Sequence, residues 1–151
     1  MKKIIPTLTK RSGWHQTLAL TIAAVLTVMA VLQLFWYEDL PNEISVLLPI
    51  EWAQTSIVIA AAFVITEVLA IAYFLPLALS TLARWCLRVV ALLVPVAWIG
   101  SMKYALLTEQ AANAAYLGAK FDVSLNWWHV VAMTLLLIAT VVVVAQDLRK
   151  S

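Results

Sequence analysis

Residues 57–79 form an apolar run in which Glu67 is the only charged side chain. Lipid offers a backbone neither donors nor acceptors, so a run of this length crosses it only as a helix. An acid near the middle of such a helix is costly and marks a candidate functional site. Three further segments have the same character. Together they predict helices over about 14–37, 52–80, 89–107 and 127–146. The expected fold is all-α: an integral membrane, up-and-down four-helix bundle in one domain, with both termini cytoplasmic.

Composition supports a bilayer rather than water as the solvent. Of 151 residues, 64% are hydrophobic and only 12% charged, and the mean hydropathy is +0.96. A soluble domain stays near about 45–50% apolar. The basic residues gather at the expected helix ends. Lys2, Lys3, Lys10, Arg11, Arg84, Arg88, Arg149 and Lys150 all fall on one side, eight of the ten in the chain. That bias orients the helices with this side in the cytoplasm, and a bacterial inner membrane is the expected location. It does not build a basic patch interleaved with aromatics, so nucleic acid is not an expected partner. The N-terminal basic stretch precedes an apolar run of about 20 residues, longer than a signal peptide's core, and reads as an uncleaved anchor. The lone Cys86 excludes an internal disulfide and a cysteine-rich metal site.

The connecting segments carry their own signals. Trp14 and the pair Trp36–Tyr37 bracket the first span as interface anchors. The first loop, EDLPNEISVLLPIE, holds Glu38, Asp39, Glu43 and Glu51 without a base, as an outer loop should. Pro41 and Pro49 punctuate it, and the apolar piece between them is too short to span. The second span, which begins at Trp52, is longer than the hydrocarbon slab, and Pro76 invites a bend near its inner end. Residues 81–88 read as a cytoplasmic hairpin. In the third loop Tyr116, Leu117 and Phe121 can seat an amphipathic piece in the outer interface, with Lys120 its only base.

Few residues offer chemistry. The helical face around Glu67 is apolar, so its partner must come from another helix or from protonation. A hydroxyl such as Thr140 or Thr27 is one such partner. Lys103, the only base inside a span, is another if the register allows; otherwise it snorkels to the outer surface. On the third span Ala97, Ser101 and Ala105 fall at a spacing of four, with Gly100 widening the same face. This is a packing surface for a neighbouring helix or another protein. Trp98 is a packing aromatic or the wall of a small-molecule pocket. His15 and His129 lie at opposite membrane ends and cannot share one haem. There is no glycine-rich phosphate loop, no Ser-His-Asp set and no metal-ligating group. No motif names an enzyme, and no cofactor is expected beyond a quinone or lipid between helices.

Three stretches carry a likeness to a known family. They are Glu67-Val68-Leu69-Ala70, the following LPLALSTLARWCLRVVALL, and the aromatic start VSLNWWHV of the last span. Over residues 55–145 the pattern resembles the DoxX-like and MauE-like four-span membrane proteins. The resemblance implies a four-helix bundle working beside redox proteins, either in maturation of a partner or in support of a quinone-linked oxidoreductase. Many MauE-like members carry a Cys-Gly-Cys type motif before the last span. Here that region reads NAAYLGAKFD, so a dithiol activity does not carry over.

The expected role is a non-catalytic membrane subunit or assembly factor, packing laterally against other membrane subunits in the bilayer. The alternative is a quinone- or lipid-binding redox-support protein, or a proton-coupled carrier, that uses Glu67.

Overall fold

The computed structural model describes residues 7–8, 11, 13–48, 53–108, 117 and 124–149. The expectations placed on Lys2, Lys3, Lys10, Pro49, Glu51, Trp52, Tyr116, Lys120, Phe121 and Lys150 fall outside these residues. The described chain is mostly helical. In order it runs β1 (Thr7–Leu8), α1 (Trp14–Phe35), α2 (Leu40–Leu47), α3 (Ala53–Phe74), β2 (Ala78–Leu79), α4 (Thr81–Leu107) and α5 (Trp127–Arg149). Four of these helices, α1, α3, α4 and α5, are long and apolar enough to cross a membrane.

Each long helix buries one stripe and leaves the rest of its surface apolar. On α1 the stripe is Ala19, Ile22, Ala23, Leu26, Met29, Ala30 and Gln33, the three-and-four spacing of one helical face. On its outward side Val25, Val28, Val31, Leu34 and Phe35 remain uncovered by the chain. In water this surface would be a liability; against acyl chains it costs nothing. Packing joins α1 to α3, α3 to α4, α4 to α5 and α5 back to α1.

The short α2 is the apolar piece of the first loop. Pro41 sits in its first turn, where a missing N–H breaks no helical bond. It buries Leu40, Ile44 and Leu47 and packs on α3 and α4. Too short to span, the piece covers neighbouring helices instead.

Two boundaries differ from the sequence reading. The second span was expected to bend at Pro76 and continue to about residue 80. The helix ends instead at Phe74, because a proline pushes the residue before it, Leu75, out of helical geometry. The chain then forms β2, which pairs antiparallel with β1, Thr7 opposite Leu79 and Leu8 opposite Ala78. The expected hairpin at 81–88 is the first two turns of α4. Ser80 caps them, its hydroxyl accepting from the Ala83 amide at 3.2 Å. Arginine is a good helix former, so Arg84 and Arg88 extend the helix where a hydropathy profile suggests a loop. Replacing Ser80 by Ala leaves that amide unsatisfied and costs about 0.5–2 kcal/mol, measurable as a shift in reversible unfolding in micelles.

Candidate functional site

Glu67 is fully buried on the inner stripe of α3, and Gln33 of α1 and Trp98 of α4 are buried with it. The Gln33 amide nitrogen donates to both carboxyl oxygens, at 3.0 Å to Oε1 and 3.1 Å to Oε2. The Trp98 indole Nε1 donates to Oε1 at 2.6 Å. One acid on α3 is thus bonded to both helices that flank it. Phe63 packs on the indole with ring centroids 4.5 Å apart, and Ser101 Oγ donates to the Trp98 carbonyl at 3.0 Å. Among the described residues, the hydrogen bonds of Glu67 end at Gln33 and Trp98.

These contacts assign the partners that the sequence left open. The hydroxyl route is not used. Thr27 donates back to Ala23 of its own helix at 2.7 Å, and the buried Thr140 makes no hydrogen bond to Glu67. Lys103 is exposed and forms no ion pair with Glu67, the geometry of the snorkelling alternative. The small-residue face splits. Ser101 and Ala105 are buried, whereas Ala97 and Gly100 face outward. The first pair serves internal packing and the second is open to a neighbour. Gln33 was the readable signal that sequence reasoning passed over, because an amide inside an apolar span needs a partner as much as an acid does.

Chemically the triad can hold Glu67 in two states. A carboxylate accepts from the Gln33 amide and the indole as found. A carboxylic acid donates to the Gln33 carbonyl oxygen once the amide turns over, which the hydrogen-bond inventory of glutamine permits. In the observed orientation that oxygen is buried with no partner among the described residues.

A second polar cluster ties the ends of the long helices. Arg11 grips Asp147 of α5 with two bonds, Nη2 to Oδ2 at 2.6 Å and Nε to Oδ1 at 3.2 Å. The same guanidinium donates to the last carbonyls of α3, to Phe74 at 2.7 Å and Tyr73 at 3.2 Å. The Tyr73 hydroxyl donates to Asp147 Oδ2 at 2.8 Å. Arg88 of α4 is buried beside this group. From sequence these were only flanking charges.

The histidines sit apart from both clusters. His15 packs at a tilt against Trp14 at the start of α1, and His129 Nδ1 accepts from the Asn126 amide at the start of α5. Cys86 is exposed. Among the described residues no three His, Cys, Asp or Glu side chains group closely enough to hold a metal ion. In comparisons with known proteins, the chain matches no family model, no curated sequence and no solved structure.

Proposed function

We propose that this chain is a non-catalytic membrane subunit or assembly factor that packs laterally in a larger membrane complex. Its four spans would form an up-and-down bundle in a cell's cytoplasmic membrane, with both termini on the cytoplasmic side. The observation that carries the reading is the closure of Glu67 by Gln33 and Trp98. A polar group satisfied within its own chain locks helices together, while the apolar outer faces are left for lipid and partners. The basic side chains Arg11, Arg84, Arg88 and Arg149 on one side, and Glu38, Asp39 and Glu43 between α1 and α2, support the orientation. A redox complex is the setting that the likeness to DoxX-like and MauE-like proteins implies.

Separation of native membranes in mild detergent tests this. The chain is expected to migrate with other integral subunits; a lone 16.7 kDa chain in every mild detergent overturns the proposal. Glu67→Gln is expected to leave assembly intact, because a turned-over Gln33 amide pairs with the new amide.

One observation favours a second reading, in which Glu67 takes up and releases a proton or holds a quinone. The unpartnered Gln33 oxygen is an acceptor already in place beside the carboxyl. On that reading Glu67→Gln keeps assembly and abolishes the activity of the complex.

A further inference from the structure

Helix α5 is fastened to the chain differently from the other three long helices. The buried triad joins α1, α3 and α4, since Gln33 and Trp98 both donate to Glu67. The pairing of Thr7 and Leu8 with Leu79 and Ala78 adds the N-terminal segment to that group. The triad takes no side chain from α5. Most of the residues that α5 buries, Val130, Met133, Val143 and Val144, are apolar. Its polar tie is Asp147, which accepts from Arg11 and from the Tyr73 hydroxyl of α3. Arg11 also donates to the Tyr73 and Phe74 carbonyls, so it stays with α3. Asp147 is the half of the pair that α5 brings.

The two seams of α5 are unequal. It packs broadly on α4 and thinly on α1. Between α1 and α5 runs a groove of about 370 Å³ whose walls include Val28, Met29, Ala132 and Met133. Acyl chains are as apolar as these side chains, so no hydrophobic force closes the seam; packing and hydrogen bonds must. The groove interrupts the packing. Arg11 and Asp147 bridge the seam where α1 starts and α5 ends. A buried ion pair can often be replaced by apolar packing at little cost, so its best-attested use is to fix or switch an arrangement.

We propose that the Arg11–Asp147 pair is a latch, and that α5 swings on its α4 seam away from α1 when the latch is released. Helices α1, α3 and α4 keep their places because the triad stays closed. The inference uses neither functional reading. A tilt of roughly 10° about the Trp127 end displaces residue 145 by about 5 Å, given about 1.5 Å of rise per residue.

Double electron–electron resonance between spin labels in phosphatidylcholine nanodiscs tests this, with Cys86→Ser in every variant. Leu20→Cys with Ala145→Cys reads the seam, and Ile65→Cys with Leu93→Cys reads the triad-locked body. All four positions are exposed. Arg11→Gln is expected to add a population about 5 Å longer to the seam pair and to leave the other pair unchanged. An unchanged seam distance, with the body distance kept, overturns the proposal. If Arg11→Gln loses the body distance as well, Tyr73→Phe decides, because it removes only the second donor to Asp147 and keeps the ring. There, a longer population confined to the seam supports the latch. An unchanged seam, or equal broadening of both pairs, overturns it.

Discussion

Replacing Gln33 by Leu is expected to destabilise the folded chain by about 3 kcal/mol, the upper part of the range for stranding a buried polar group. The variant removes the bidentate donor of Glu67 and leaves the carboxyl with the indole alone. Trp98→Phe keeps the ring against Phe63 but removes one N–H, so it should cost less, about 1–2 kcal/mol. The combined variant Gln33→Leu, Glu67→Leu and Trp98→Phe is the decisive member of the series. It leaves no orphan donor or acceptor from the triad, and an apolar replacement of a whole buried polar group is often close to neutral. The triple variant should therefore lie within about 1 kcal/mol of the wild type although the first single variant does not. Reversible unfolding in mixed micelles measures all three. A triple variant as unstable as the sum of its parts would show that these positions act through shape rather than through polar satisfaction. A stable triple variant that no longer migrates with the proposed partner subunits would assign Glu67 to function rather than to folding.

The spans were legible because lipid imposes one requirement on every residue of a crossing segment. Glu67 was legible as the exception to it. Its partners were not, for a physical reason. A helix that is apolar all round has no stripe to say which face turns inward, so rotation about the axis is free of sequence signal. The buried line from Ala60 through Val64, Glu67 and Ala70 becomes visible only once α1 and α4 lie against it. The start of α4 was misplaced because hydropathy treats Arg84 and Arg88 as loop residues, whereas a capping serine at residue 80 marks a helix start. The Arg11 cluster was beyond reach. Arg11 and Asp147 are 136 residues apart, and each alone is an ordinary flanking charge.

That cluster carries the other large effect. Arg11→Ala is expected to cost about 3–5 kcal/mol, the range for breaking a buried ion pair from one side. Three groups lose a partner together: the Asp147 carboxylate and the carbonyls of Tyr73 and Phe74. Those carbonyls close α3, whose last turn has no basic side chain of its own. The guanidinium thus serves the end of α3 as a C-terminal cation, a role normally filled from within the helix. Asp147→Ala strands the opposite partner and leaves Arg11 and Arg88 with no facing carboxylate among the described residues. If Arg11 and Asp147 act as one unit, the double variant costs less than the two singles combined, by about 2 kcal/mol of coupling. Strict additivity in a double-mutant cycle would mean that the pair seen between the N-terminal segment and α5 contributes nothing beyond separate packing. Coupling would mean that residue 11, which precedes the first helix, holds α3 and α5 in place from outside both.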